Sequence, residues 1–221
     1  MMVSPSLEYV VTPLAACMIY TAFMIVELRN LRFSAYAYMA QALLLVGVFL
    51  GIAVVANEPH FYVWSFTAFL SKVVVVPWLV LWAIGKVKVE REEEPLIPLV
   101  PSIGVDLALI AIGFWLGETL PMPVVEPGLK ICMGVSFALT FMGIYSISSR
   151  RSTIKQAISF CHIENGIHLM LAVLAFTSPV TVELGILTDA IFAIAMMLYL
   201  STVIKKVIGS LNSFELSSLR W

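Results

Sequence analysis

Four ionisable side chains lie inside long apolar stretches of this sequence: Lys72, Asp106, Glu164 and Asp189. A charged side chain at the centre of a membrane-spanning helix costs about 2.5–3.5 kcal/mol on insertion scales, so it usually faces protein or water. Carboxyl and amino groups in such places take up and release protons as their surroundings change. These four residues are therefore candidates for a proton or ion pathway.

The segment SFCHIENGIHLML, residues 159–171, surrounds one of these acids with polar groups. Glu164 and His168 are four residues apart and share a helix face, so they can exchange a proton near neutral pH. The alternative is a static, hydrogen-bonded pair. Asn165 is expected to bond water or a partner side chain, and Gly166 to let a neighbouring helix approach closely.

The other three candidates differ in depth. Lys72 is too far from either end of its apolar stretch to reach the surface, and Pro77 should loosen the helix just after it. Asp189 lies at a different depth from Glu164, as a stepwise proton route requires. Asp106 follows two prolines near the start of its stretch, which leaves an interfacial position open for it.

The helices that position these residues are predicted to span a membrane. Of 221 residues, 61% are hydrophobic and 12% charged, whereas soluble domains are typically about 25% charged. The mean hydropathy is +0.99. An all-α polytopic fold is expected, because seven windows reach the length of about 20 apolar residues that a bilayer requires. These windows are about 9–26, 35–56, 62–85, 99–118, 128–148, 157–178 and 181–204.

Basic residues occupy alternate linkers, which predicts the N-terminus outside and the C-terminus inside. The net charge of −1 gives no reason to expect a nucleic-acid partner. The acidic run EREEEP, residues 90–95, is expected to be a solvated loop on the inner side. The basic residues in those linkers and in the tail are Arg29, Arg32, Lys86, Lys88, Arg91, Arg150, Arg151, Lys155, Lys205, Lys206 and Arg220.

The order of features suggests a repeated three-helix unit. In each trio a basic turn leads to a span bearing a polar residue, Gln41 or Glu164, and then to a mid-span ion, Lys72 or Asp189. Both trios start outside, so the repeat is parallel, in a 3+1+3 arrangement. The predicted units are a three-helix half at 1–98, a linking transmembrane helix at 99–127, a second three-helix unit at 128–204 and an amphipathic tail at 205–221.

Several motifs resemble known families. Residues 128–204, with RRS at 150–152, ENGI at 164–167 and Asp189 in the third span, resemble the K-type subunit of respiratory complex I and the matching subunit of multisubunit sodium/proton antiporters. About residues 10–205 resemble component E of hydrogenase-4 and formate hydrogenlyase-type complexes. That resemblance rests on ENGI, on VELGILTD at 182–189 and on a lysine-bearing third span with a downstream proline.

The resemblance implies a non-catalytic, multi-pass subunit in the cell (cytoplasmic) membrane, within the membrane arm of a group 4 nickel–iron hydrogenase or related complex. The implied partners are antiporter-like subunits, other small membrane-arm subunits and the peripheral hydrogenase arm. The nickel–iron centre and iron–sulfur clusters would lie in those partners. This chain is expected to hold no cofactor or metal and no catalytic residue. Glu164 and Asp189 would relay protons, and Lys72 would supply a balancing charge.

Two other functions remain open at this stage. In a structural scaffold the ionisable groups only hold helices together. An autonomous secondary transporter would move its substrate without partners. The sequence is compatible with either H⁺ or Na⁺ as the coupled ion, and with formate, carbon monoxide or ferredoxin as electron donor.

Overall fold

The computed structural model describes residues 5–92, 95–120, 129–174 and 180–212, with the side chains of residues 5, 6, 180–190, 192 and 208 outside that description. This part of the chain contains no β-strand. Its seven helices are α1, Pro5–Glu27; α2, Leu31–Val55; α3, His60–Val87; α4, Leu99–Thr119; α5, Lys130–Ser149; α6, Thr153–Leu174; and α7, Val180–Ile208.

Helices α1 to α6 are long and apolar enough to cross a membrane. The predicted all-helical, polytopic class is therefore confirmed, with six candidate spans among the described residues. Helix α7 has 29 residues, and its crossing of the membrane stays a prediction. Four boundaries lie about four residues outside the expected windows: α1 begins at Pro5, α2 at Leu31 and α6 at Thr153, and α7 ends at Ile208. Helix α7 thus runs through Lys205 and Lys206 into the segment expected to be a separate tail.

Four connecting segments meet at one end of the helical bundle, which we call the basic end. They are residues 28–30, 88–98, 150–152 and 209–212, of which 93 and 94 are not described. The Glu92 amide donates to the Arg29 carbonyl at 2.9 Å, the Leu96 amide to Ser149 at 3.2 Å, and the Thr153 amide to Leu211 at 3.2 Å. The last two bonds satisfy backbone groups that α5 and α6 leave unpaired at their termini.

Small residues let α5 approach its neighbours closely. A Cβ added to Gly117 would lie 2.7 Å from the backbone nitrogen of Gly134, and one added to Gly166 would lie 3.0 Å from that of Thr140. Side chains larger than hydrogen would therefore separate α4 from α5, or α5 from α6. The close approach expected at Gly166 is observed, and α5 is the helix that it meets.

Helix α3 contains a π-helical segment, Phe69–Val75, between the α-helical parts His60–Ala68 and Val76–Val87. The Val76 amide bonds the Ser71 carbonyl, five residues earlier. Pro77 has no amide hydrogen to continue α-helical bonding, and its ring crowds the preceding turn. The loosening expected beside Pro77 therefore takes the form of a π-helical segment, and Lys72 lies within it.

Candidate functional site

The Lys72 ammonium group is buried among polar groups of α6. Its Nζ lies 2.6 Å from Glu164 Oε1 and 3.1 Å from Asn165 Oδ1. The side chain of Lys72 is 1% exposed and that of Glu164 is 10% exposed. Such a short contact is typical of a charge-assisted hydrogen bond. The structure thus joins α3 to α6 through an ion pair.

The π-helical segment and the packing of α6 position this pair. Segments of π-helix are rare and frequently lie at functional sites. On α6, Glu164, Asn165 and His168 occupy adjacent positions around the helix. Since Gly166 brings the α6 backbone against α5, the height and rotation of these side chains are fixed by that contact.

His168 does not pair directly with the Glu164 carboxylate. Its Nδ1 lies 2.8 Å from the Glu164 backbone carbonyl and 3.8 Å from Oε1. The same Nδ1 lies 3.3 Å from Lys72 Nζ. A carbonyl oxygen only accepts and an ammonium group only donates, so Nδ1 donates to the carbonyl in one tautomer and accepts from Lys72 in the other. The other ring nitrogen, Nε2, is buried and has no hydrogen-bond partner among the described residues. The direct Glu164–His168 exchange expected from sequence therefore lacks a hydrogen bond in this conformation.

Gln41 links the site to two more helices. Its Nε2 donates to the Met18 carbonyl of α1 at 3.2 Å. Its Oε1 accepts from Asn165 Nδ2 at 3.2 Å and lies 2.8 Å from His162 Nδ1. All the side chains involved are fully buried. A hydrogen-bonded chain thus crosses α3, α6, α2 and α1, and it includes His162, which was not among the residues predicted to form the site.

Asp106 belongs to a different cluster, at the basic end. It is 0% exposed, and the interfacial depth left open for it stays a prediction. Its carboxyl group lies beside Glu27 and near Arg150. Arg150 Nη2 is 3.0 Å from Glu27 Oε2, and Arg150 Nη1 is 3.9 Å from Glu92 Oε2.

Three charged residues of the basic end were treated as linker residues in the sequence analysis but are buried. Arg150 is 1% exposed, Glu92 4% and Lys155 0%. The expectation of a solvated loop is thus wrong for Glu92, and burial raises the pKa of its carboxyl group, while Lys155, Arg150 and Arg29 act in the opposite direction. Spacing offered a clue to Lys155, because it lies on the same side of α6 as Ser159 and His162.

Asp189 is described only by its backbone, in α7; its side chain lies outside the described residues. Its predicted part in a relay stays a prediction. Within the described part of the chain, no group of three or more His, Cys, Asp or Glu side chains is arranged to hold a metal ion.

The geometry defines what the Lys72–Glu164 pair can do. In a low-dielectric interior, an ammonium and a carboxylate stabilise each other's charge, and removing one leaves the other unpaired at high cost. A proton arriving at Glu164 would cancel the carboxylate and leave the ammonium unbalanced. Protonation of Glu164 is therefore linked to the positions of the helices that the pair joins and to the charges that these helices carry.

Comparisons with known proteins agree with the motifs. Residues 131–221 match the family model described as "NADH-ubiquinone/plastoquinone oxidoreductase chain 4L". "Hydrogenase-4 component E" of Escherichia coli (strain K12) is 32% identical over 213 residues, which cover 96% of this chain and 97% of that protein. "Hydrogenase-4 component E" of Shigella flexneri matches with the same identity and the same shares of both chains.

A more distant relative is a Mycobacterium tuberculosis protein, 26% identical over 210 residues that cover 93% of this chain and 94% of that protein. No solved structure matches significantly. Together with the six apolar helices, these relationships show a multi-pass protein of the cell membrane. The extent and identity of the match to the Escherichia coli protein show that the chain belongs to the hydrogenase-4 component E family.

Proposed function

We propose that this chain is a non-catalytic membrane-arm subunit of a membrane-bound hydrogenase, and that its buried Lys72–Glu164 pair couples redox chemistry in partner subunits to ion movement. The family supports the membrane-arm part of the proposal, because its relatives carry the name of a hydrogenase component and part of the chain matches a chain 4L model. The coupling part rests on the site geometry.

The observation that carries the proposal is the 2.6 Å contact between Lys72 Nζ and Glu164 Oε1. A buried ion pair gives little net stability, since desolvation offsets the attraction between the charges. A hydrophobic pair would hold the same helices together at lower cost. An ion pair buried this deeply in a membrane-embedded chain is therefore best explained by a change in the charge of the pair during function.

The coupling would work through the balance of charge. When Glu164 gains a proton, Lys72 loses its counterion and is drawn toward other acceptors, of which Asn165 Oδ1 at 3.1 Å is already in contact. The π-helical segment around Lys72 can change its hydrogen bonding with less disturbance than a regular helix. His168 and Asp189 would accept or deliver protons on either side of the pair, and Asp106 would do so at the basic end.

The remaining features of the proposal concern the assembly. Antiporter-like membrane subunits, other small membrane-arm subunits and a peripheral arm holding the nickel–iron centre and iron–sulfur clusters would be the partners, as in formate hydrogenlyase-type complexes. The basic end would face the cytoplasm, with the N-terminus outside. The 3+1+3 arrangement would place Lys72 and Asp189 at corresponding positions of the two trios.

A scaffold function is the second candidate, and the chain through Gln41 favours it. Gln41 bonds the Met18 carbonyl at 3.2 Å and accepts from α6 through Asn165. Such a network holds helices together whether or not an ion moves. In a scaffold, substitutions at Lys72 and Glu164 would reduce assembly of the complex and leave coupling unchanged in the complexes that do assemble.

One experiment separates the two candidates. The tagged chain is isolated from native membranes as wild type, Glu164→Gln, Lys72→Met and, as a control, Glu118→Gln at an exposed position. The proposal predicts that wild type copurifies with nickel and hydrogenase activity. It predicts that the Glu164→Gln complexes that assemble lose the ion movement linked to that activity. Absence of nickel-containing partners, or normal coupling in Glu164→Gln, would contradict it.

A further inference from the structure

A pair of carboxyl groups at the basic end is not explained by the ion pair in the middle of the bundle. Asp106, on α4, is 0% exposed and lies beside Glu27, the last residue of α1. Neither oxygen of Asp106 receives a hydrogen bond from any described residue. Two neighbouring carboxylates offer each other only acceptors, whereas a proton between them gives one a hydrogen bond to donate.

The surroundings of the pair hold it in place. Ser102 Oγ donates to Glu27 Oε1 at 2.6 Å, and its oxygen is 2.8 Å from the hydroxyl of Tyr145. Ser102 and Asp106 are four residues apart, so both face α1 from the same side of α4. Arg150 contacts the other Glu27 oxygen, Oε2, at 3.0 Å. Glu27 is therefore oriented from two sides, with Asp106 against it.

The surroundings also favour one proton in this cluster. Three acids meet two buried cations and exposed Arg29 here, so the fully ionised cluster is neutral as a whole. Burial penalises ionised carboxyl groups, however, and two neighbouring carboxylates do not both ionise readily. The titratable and charged groups facing the pair from α5, α6 and the connecting segments are Tyr145, Arg150, Lys155, Glu92 and Arg29.

The pair has access to the surface. A cleft of about 360 Å³ is lined by Glu27, Arg29, Pro95, Pro98, Leu99 and Arg150. Water in this cleft would reach the Glu27 carboxyl group from the basic end. Asp106 lies behind Glu27, away from solvent. Glu27 is thus placed between the cleft and a fully buried acid, as a residue that exchanges protons with solvent must be.

A polar seam between α2 and α6 leads from this end toward the middle of the bundle. Lys155 Nζ donates to the Leu28 carbonyl and to Ser34 Oγ, each at 2.7 Å. Farther along, Tyr38 lies beside Cys161 and Glu164. The seam then meets the bonds of Gln41 to His162 and Asn165. Polar groups on facing helices therefore extend from the basic end to Glu164.

We propose that Glu27 and Asp106 share one proton and form the solvent-facing end of the route to the Lys72–Glu164 pair. The shared proton rests on the geometry of the basic end alone, whereas its connection to Glu164 rests on the function proposed above. The proton would enter through the cleft at Glu27, stay between the two carboxyl groups, and leave along the α2–α6 seam. Glu27 thereby becomes a proton-binding residue of this chain.

Infrared spectroscopy of the full-length chain in lipid vesicles tests the shared proton, because a protonated carboxyl group has a distinct carbonyl stretch. Wild type is expected to show that band at neutral pH. Asp106→Asn and Glu27→Gln are each expected to lose it, and Glu118→Gln and Glu164→Gln to retain it. If the band disappears in only one of these two variants, or is unchanged in both, the proposal is overturned.

Two further measurements keep the test decisive. Ser102→Ala removes a bond to Glu27 and should shift the band without removing it, so an unchanged band would also contradict the proposal, even if Asp106→Asn failed to fold. Replacing potassium chloride by sodium chloride should leave the band intact; its loss would mean that the carboxyl groups hold a sodium ion instead. The infrared band is measured without turnover. The result for the shared proton is therefore independent of whether Glu164→Gln abolishes coupling in the intact complex.

Discussion

At the scale of residues, the central feature is a buried ion pair. Lys72 is 1% exposed and contacts Glu164 at 2.6 Å. Either charge alone would be costly in this position, whereas the pair is neutral as a whole. Substituting one partner therefore has a larger effect than substituting both, and that difference is measurable.

Lys72→Met and Glu164→Gln should each lower the free energy of unfolding by about 3–5 kcal/mol, because each leaves an uncompensated buried charge. The double variant should lose less than the sum of the two. Unfolding in mixed micelles by circular dichroism gives the three values. Additive losses would show that the two side chains do not interact in the folded protein.

Glu92 gives a prediction about pH. Burial raises the pKa of this carboxyl group in the folded protein, so the folded state binds its proton more tightly than the unfolded state does. Wild type should therefore lose stability relative to Glu92→Gln as pH rises from the usual glutamate pKa to the raised one. Denaturation of both proteins across that range checks it; a constant difference would contradict the raised pKa.

The sequence identified some of these residues and missed others for a physical reason. Lys72 and Glu164 stood out because charge is expensive in apolar windows, but hydropathy does not specify which helices touch. Arg150 and Lys155 lie beside polar linker residues, where charge is ordinary. Their burial comes from the packing of connecting segments at the basic end, which is a property of the tertiary fold.

At the scale of elements, the contact between α5 and α6 sets the position of the ion pair. Gly166 lies two residues after Glu164 and against the Thr140 backbone. Any movement of α6 away from α5 would carry Glu164 and Asn165 with it. Packing at one glycine therefore controls the geometry of polar groups on another side of the same helix.

Gly166→Ala should destabilise the protein by about 1–3 kcal/mol through overpacking. Gly104→Ala is the matched control, since a Cβ there meets no atom within 4 Å. Alanine at that helical position should be neutral or stabilising by about 0.5–1 kcal/mol. Thermal unfolding of both variants compares them, and equal effects would mean that α5 and α6 are not in close contact at Gly166.

The third helix shows how far sequence prediction reaches for an element. Pro77 predicted a disturbance of the helix near Lys72. Proline is compatible with a kink, a break or a wider turn, and the choice depends on the helices packed around it. The π-helical segment Phe69–Val75 allows Lys72 to face α6, and no local pattern specifies that outcome.

At the scale of the whole molecule, the basic end and the middle of the bundle differ in their polar chemistry. The middle holds the Lys72–Glu164 pair within its hydrogen-bonded chain. The basic end holds Arg150, Glu27 and Glu92 together with Lys155. Two Arg–Glu contacts of equal length at this end, one buried and one exposed, allow the contribution of burial to be measured.

Arg150→Met should cost about 3–5 kcal/mol of stability, since Glu27 would lose its buried partner at 3.0 Å. Arg32→Met removes an exposed contact of the same 3.0 Å length to Glu90 and should cost about 0–1 kcal/mol. Chemical denaturation of both variants gives the comparison. Similar losses would show that Arg150 is not desolvated as the structure places it.

Hydropathy predicted the helical class and the positions of α1 to α6 well, because a membrane-crossing helix needs a long apolar stretch. It placed the starts of α1, α2 and α6 and the end of α7 about four residues inside the observed helices. Thr153 and Lys205 extend helices through polar positions that a hydropathy window assigns to linkers. The family relationship was visible in ENGI and VELGILTD, whereas the pairing of Lys72 with Glu164 required the fold.

The most direct test of the account is the number of ions moved per hydrogen molecule turned over, measured in vesicles containing the intact complex. Wild type, Glu164→Gln and the exposed control Glu118→Gln are compared at equal complex content. Because a carboxamide at Glu164 carries no transferable proton, the account predicts that the ratio falls sharply in Glu164→Gln and is unchanged in Glu118→Gln. A wild-type ratio in a fully assembled Glu164→Gln complex would contradict it.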